Sequence, residues 1–243
     1  MLKLRTIPLA LSIVAMATIA SVDAAPLSGP ACDEADQQIA STPTIPDSAN
    51  ALRRDLKNVG SLPAEASIVL LGDSLVEAWP QDLSSSLAAG RPVLNLGVGR
   101  DRIQNTLWLL TSFEQQLKRV QPQSIILLLG TNNVYLDKPC GVRLAFDRVF
   151  DRISRIWPKA RVVQILILPR GPNMTGAKDT ISEVNASLLS REKSAQKYRV
   201  LDASAVACRN GTPCANYRDD LLHLTRTGYE ELTQIVRTNL NTN

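Results

Sequence analysis

The sequence predicts an α/β chain folded as a three-layer α/β/α sandwich around a five-stranded parallel sheet. Five short runs rich in Val, Ile and Leu alternate with stretches whose apolar residues recur every three or four positions. Two of those runs are apolar almost throughout, as expected of parallel strands covered on both faces. The 243 residues, 44% hydrophobic and 21% charged, have ordinary globular composition and suffice for one sizeable domain. Twelve glycines without a period exclude collagen. No sustained heptad indicates a coiled coil.

The first element is a leader. Lys3 and Arg5 precede an apolar run from Ile7 to Ala20, and Val22-Asp23-Ala24 supplies small residues for cleavage after about Ala24. The run is shorter than the ~20 residues a membrane-spanning helix needs. A secreted or periplasmic protein without lasting membrane insertion is expected. Residues 25–66, rich in Ala, Pro, Asp and Ser, form an N-terminal extension with one helix over Ala49–Lys57, and residues 67–243 form the main domain.

Strands are expected at Ser67–Leu71, Pro92–Leu96, Ser124–Leu129, Arg161–Leu168 and Arg199–Asp202. The clearest helix carries Val142, Phe146, Val149, Phe150, Ile153, Ile156 and Trp157 on one face and ends at Pro158. Ile181, Val184, Leu188 and Leu189 mark another, and Leu232, Ile235, Val236 and Leu240 a last one. In such sheets ligands bind beyond the carboxyl ends of the strands.

Composition limits the partners. The formal charge is +4, falling to +3 once Lys3, Arg5 and Asp23 leave with the leader, and no long basic run gives a nucleic-acid footprint. All four cysteines lie beyond the leader, and an even count in an oxidising compartment reads as two disulfides. The short Arg-Asn-Gly-Thr-Pro segment favours Cys208–Cys214, which leaves Cys32–Cys140 by elimination. A zinc site is disfavoured by the single histidine and the absence of a CxxC motif. No metal or organic cofactor is expected. Asn173, Asn185 and Asn210 match the glycosylation pattern, which matters only in a glycosylating host.

Unusual residues cluster after the strand ends. The first strand runs into Gly72-Asp73-Ser74-Leu75, the second into Asn95-Leu96-Gly97-Val98-Gly99, and the third into Gly130-Thr131-Asn132-Asn133. Asp220-Leu221-Leu222-His223-Leu224-Thr225 follows near the C-terminus. A serine hydroxyl is a weak nucleophile without a base. His223, the only histidine, is the sole imidazole available, and Asp220 stands three residues before it, placed to fix its tautomer.

With these four blocks in this order, the chain resembles the SGNH (GDSL) hydrolase family. Asn95-Leu96-Gly97, Asp101, Leu107-Trp108, Gly130-Thr131-Asn132-Asn133 and Leu168-Pro169-Arg170-Gly171 are similar to the branch that contains the catalytic subunits of platelet-activating-factor acetylhydrolase Ib. The resemblance covers roughly Ile68 to Val236. It implies a flavodoxin-like SGNH hydrolase fold, catalysis by Ser74, Asp220 and His223, and an oxyanion hole from the Ser74 N–H, the Gly97 N–H and the Asn132 side chain.

Arg100 stands where that branch often has glycine, so substrate contacts beside the oxyanion hole are expected to differ there. Arg170 is expected either to reach an anionic or carbonyl group at the site mouth or to form a structural ion pair. Asp73 is expected to hold the turn by hydrogen bonds. Trp79 and Trp108 line an acyl pocket or belong to the core.

The expected function is an exported serine esterase with a short-chain acyl preference, acting on a small-molecule, lipid or glycan ester, as a monomer or homodimer. An acyltransferase, lysophospholipase or thioesterase would use the same site, and the sequence does not separate them. A non-catalytic envelope or glycan-binding protein is disfavoured: every position is intact, and only 4% of residues are aromatic.

Overall fold

The structure, a computed structural model, describes residues 31–192, 197–208 and 214–240. The expected leader, Asn210 and the segment between Cys208 and Cys214 lie outside the described residues.

Five parallel strands form one sheet: β1 (Ile68–Gly72), β2 (Val93–Asn95), β3 (Ser124–Leu128), β4 (Arg161–Ile165) and β5 (Tyr198–Leu201). Their spatial order is β2-β1-β3-β4-β5, so the chain reverses its winding between β1 and β3. That reversal opens a crevice at the strand ends, the usual ligand position of a doubly wound sheet. Alternation along each strand assigns its side chains to two cores. Val69 and Leu71 of β1 and Ile125 and Leu127 of β3 join one cluster, whereas Ile68, Leu70, Ile126 and Leu128 join the other.

Helices cover both faces: α1 (Glu34–Ser41), α2 (Ala49–Gly60), α3 (Ser74–Glu77), α4 (Gln81–Ser85), α5 (Ile103–Ser112), α6 (Glu114–Leu117), α7 (Pro139–Ile156), α8 (Lys178–Glu192) and α9 (Arg226–Leu240). The first core packs α5, α7 and α8 against the sheet, and the second packs α3, α4 and α9. The apolar stripe of α7 is fully buried, as its spacing requires.

Two expectations need correction, and an open alternative is decided. The strand expected over Arg161–Leu168 ends at Ile165. Leu166, Ile167 and Leu168 stay buried after leaving the sheet, so an apolar run there marks depth rather than strand. The extension holds two helices instead of one: Asp33 caps α1 by accepting the Asp36 N–H at 2.8 Å. Of its two alternatives Trp79 takes the core, its ring tilted against that of Tyr229 with centroids 6.1 Å apart and its Nε1 donating to Thr233 Oγ1 at 3.0 Å.

The extension is fastened to the rest of the fold. Cys32 is bonded to Cys140 at the start of α7, and Lys138 pairs with Asp33 and Asp36, both at 2.9 Å. The Thr44 N–H donates to the Gln104 carbonyl at 3.1 Å. Cys208 is bonded to Cys214. Among the described residues no helix is long and apolar enough to cross a membrane.

Candidate active site

Ser74 stands where β1 turns into α3. The turn is tight because Gly72 and Gly97 let backbones approach closely. A Cβ on Gly72 would collide with the Leu128 carbonyl, and one on Gly97 with the Glu77 N–H group and, at 2.7 Å, the Val76 carbonyl carbon. Asp73 caps α3 by accepting the Leu75 N–H at 3.0 Å. It is wholly buried, and burial pushes its carboxyl up to about 7, against the opposing pull of that N–H and of Arg170. With only four residues, α3 has a negligible dipole. What its start offers Ser74 is an unpaired backbone N–H.

His223 sits on an irregular loop between β5 and α9. The loop is anchored in the second core by Tyr217 and Leu224, both buried, and its exposed tip is held by hydrogen bonds. The Arg218 N–H donates to the His223 carbonyl at 2.8 Å, Arg218 Nε to the Leu224 carbonyl at 3.1 Å, and the Gly171 N–H to the Leu221 carbonyl at 2.8 Å. The Tyr217 hydroxyl donates to the Pro169 carbonyl at 2.9 Å. From this loop His223 Nε2 reaches Ser74 Oγ at 2.9 Å, and His223 Nδ1 reaches Asp220 Oδ2 at 2.7 Å. The three groups the sequence singled out thus form one hydrogen-bonded line from hydroxyl to carboxylate.

Asp220 also accepts the Leu222 and His223 backbone N–H groups, at 3.0 and 2.8 Å. Desolvation pushes its carboxyl up, but the His223 ring and the two backbone N–H groups outweigh this and hold it at about 2. A permanent carboxylate on Nδ1 leaves Nε2 free to accept the serine proton.

The oxyanion side departs from expectation. The Gly97 N–H donates to Asn95 Oδ1 at 2.8 Å, so it is engaged within its own loop and is not a free donor. The geometric need at Gly97 is space against α3. Asn132 places one Nδ2 hydrogen on the Asp101 carbonyl at 2.9 Å, leaving the second unassigned. Arg100 holds φ at 72°, a left-handed conformation that disfavours a side chain by about 1 kcal/mol. No hydrogen bond occupies its N–H among the described residues.

Arg170 is engaged by its neighbours. Its Nη1 donates to the Thr131 carbonyl at 2.7 Å and to Thr131 Oγ1 at 3.0 Å, and its guanidinium lies 5.0 Å from the Tyr135 ring centre. It braces the loop carrying Asn132, and it forms no ion pair among the described residues. Arg100 is exposed and does line a cavity of about 380 Å³ beside Asn132. The opposite wall, Pro46, Asp47 and Ser48, comes from the extension. Gly99 in that lining lies next to Ser74: a Cβ placed on it would be 3.9 Å from Ser74 Cβ.

Sequence reasoning missed an acidic group under this loop. Asp101 is buried, and burial, with Asp55, Asp73, Glu77 and Asp47 nearby, pushes it up to about 9. Asp55 on α2 is buried without a hydrogen bond to either oxygen; burial pushes it up to about 7, with Arg54 opposing. The sequence marks Asp101 through the resemblance, but nothing marks Asp55 or its nearness to Asp101, because the two lie in different segments. No cluster of metal-ligating side chains occurs among the described residues.

Known proteins resemble this arrangement. Residues 67–231 match the model of the GDSL-like Lipase/Acylhydrolase family. The alpha1 subunit of platelet-activating factor acetylhydrolase IB from Rattus norvegicus is 29% identical over 167 residues, covering 68% of this chain and 71% of that protein. A GDSL-like lipase from Bacteroides thetaiotaomicron superposes with a TM-score of 0.59 at 18% identity, covering 79% of this chain and 97% of that one. A family 3 carbohydrate esterase from Clostridium thermocellum superposes at 0.56 with 16% identity, covering 73% and 100%.

Proposed function

The chain belongs to the GDSL-like lipase/acylhydrolase family, and from that premise we propose that it is an exported serine esterase cleaving short-acyl carboxylic esters. The observation that carries this reading is the hydrogen-bonded line Ser74–His223–Asp220, at 2.9 and 2.7 Å.

In this reading Ser74 Oγ attacks the ester carbonyl as His223 Nε2 takes its proton. Asp220 holds the Nδ1–H and stabilises the imidazolium that forms. The oxyanion is met by the Ser74 N–H and the second Nδ2 hydrogen of Asn132. The unengaged Arg100 N–H replaces Gly97 as the loop's donor, which gives the strained φ at Arg100 a role. His223 then returns the proton to the departing alcohol. Water repeats the sequence on the acyl-enzyme and releases the acid.

The short-acyl preference is supported by the similarity to acetylhydrolase subunits. Export is supported by the Lys3–Ala24 leader pattern and by two disulfides, which suit an oxidising compartment. Hydrolysis of p-nitrophenyl esters from C2 to C16, with Ser74→Ala as control, tests the reading. The expected result is Ser74-dependent turnover peaking at C2–C4. A peak at C8 or beyond overturns the chain-length assignment, and undiminished turnover in a folded Ser74→Ala protein overturns the mechanism.

A further inference from the structure

The structure places a residue from outside the family-matched segment against the oxyanion loop, and we propose that Arg54 is a positioning residue for the reaction. Helix α2 lies wholly before residue 67, where the family match begins. From it, Arg54 Nε donates to the Gly97 carbonyl at 2.7 Å and lies 3.2 Å from Glu77 Oε1. The other Glu77 oxygen accepts the Gly99 N–H. Glu77 belongs to α3, one helical turn after Ser74. One guanidinium–carboxylate bridge therefore joins three segments: the extension, the 97–101 loop and the short helix that carries Ser74.

The loop needs such a restraint. It contains two glycines, and Arg100 within it holds a conformation that a non-glycine residue would leave if released. The loop is also tied by the Val98 N–H to the Gly72 carbonyl at 3.1 Å, by the Gly97 N–H to Asn95 Oδ1, by the Asn132 bond to the Asp101 carbonyl and by the Asp101 N–H to the Val98 carbonyl at 3.3 Å, but none of these reaches the extension. Arg54 and Glu77 grip its first half, Asn132 its second. The residue after Arg54 makes the docking intimate, since Asp55 is buried against the same loop. The bridge itself is about one-third exposed on both sides, at 33% and 36%. A pair so accessible to water adds little to global stability. Its effect falls on the placement of the Arg100 and Asn132 donors relative to Ser74, where an error of ~1 Å can cost ~100-fold in rate.

This inference rests on Ser74 as the nucleophile, so the experiment separates the two. Residues 25–243, oxidised, are assayed with p-nitrophenyl acetate as wild type, Ser74→Ala, Arg54→Ala, Arg54→Lys and Arg54→Gln, with Tm measured for each. The expected result for Arg54→Ala is kcat lower by roughly 10–100-fold, KM within about twofold, and Tm close to wild type. Arg54→Lys recovers part of the loss, because an ammonium supplies a donor and a charge without the planar fork. If Arg54→Ala does not fold, Arg54→Gln is read by the same criteria. An unchanged kcat in either folded variant, or a loss confined to KM, overturns the positioning role. Wild-type turnover abolished by Ser74→Ala but indifferent to Arg54 overturns this inference alone. Turnover that survives Ser74→Ala overturns the reading beneath it.

Discussion

Ser74 and His223 meet at 2.9 Å, yet the two sides of that contact are built by opposite means. The Ser74 side is packed: Asp73, Leu75 and Val76 are buried, the Gly97 backbone lies against α3, and α9 locks the turn through the Tyr229 hydroxyl on the Leu75 carbonyl at 2.8 Å. The His223 side is tethered at its tip: Asp220 is 49% and His223 28% exposed, and between the buried anchors Tyr217 and Leu224 the chain is held by backbone hydrogen bonds. The electrostatics follow. Burial drives Asp73 up to about 7, whereas hydrogen bonding outweighs burial and takes Asp220 down to about 2. Two aspartates of one site thus differ in charge behaviour because one is surrounded by core and the other by N–H donors. The serine is placed by volume and the base by direction.

The largest expected effects test the line itself. Ser74→Ala or His223→Ala should lower kcat by roughly 10⁴–10⁶-fold, and Asp220→Asn by roughly 10³–10⁴-fold, because the base survives without its orienting charge. Initial rates on p-nitrophenyl acetate measure both, and equal losses at all three positions would erase the distinction between the sides.

Next comes the contrast between packing and tethering. Gly97→Ala forces a methyl group into α3, and roughly 2–3 kcal/mol of stability should be lost along with most activity. Tyr217→Phe removes one hydrogen bond from the His223 loop and should cost only about 1 kcal/mol. Thermal unfolding beside kcat distinguishes them. A Tyr217→Phe protein as crippled as Gly97→Ala would show that this one hydroxyl, and not the shared network of loop bonds, sets the loop.

The smallest effect is the pH profile of stability. Asp55, Asp73 and Asp101 keep protons when folded that the unfolded chain releases near pH ~4. Their contribution is complete below that pH and is lost as pH rises through about 7 and about 9. Asp220 behaves oppositely: its contribution is present above pH ~4 and disappears as pH falls towards about 2. Tm should therefore peak in mild acid and fall as pH rises to ~9. Asp101→Asn should flatten the alkaline limb, and an unchanged slope would show that Asp101 ionises normally in the fold.

The sheet was legible because buried parallel strands are apolar on both faces, and the strand ends were each misjudged by only a few residues. Where the chain left the sheet but not the core, at Leu166–Leu168, hydrophobicity alone was blind. Helix α1 was missed because it buries little besides Ala40. In the site, Ser74, Asn132, Asp220 and His223 could be read because their chemistry is tied to residue type. Gly97 was visible as a glycine, but glycine signals backbone freedom without saying whether the benefit is a donor or room for a neighbour. Asp101 could be read as part of the block-two pattern but not as a buried acid, and Arg54 and Asp55 acquire meaning only through contacts across the fold, which no local pattern encodes.

One further consequence follows from the single imidazole bridging Ser74 and Asp220. With His223 the only histidine in the chain, every histidine ring signal in an NMR spectrum of the untagged protein arises from the site. The resonances need no assignment, so tautomer, protonation and inhibitor occupancy can be followed from one spin system as conditions change.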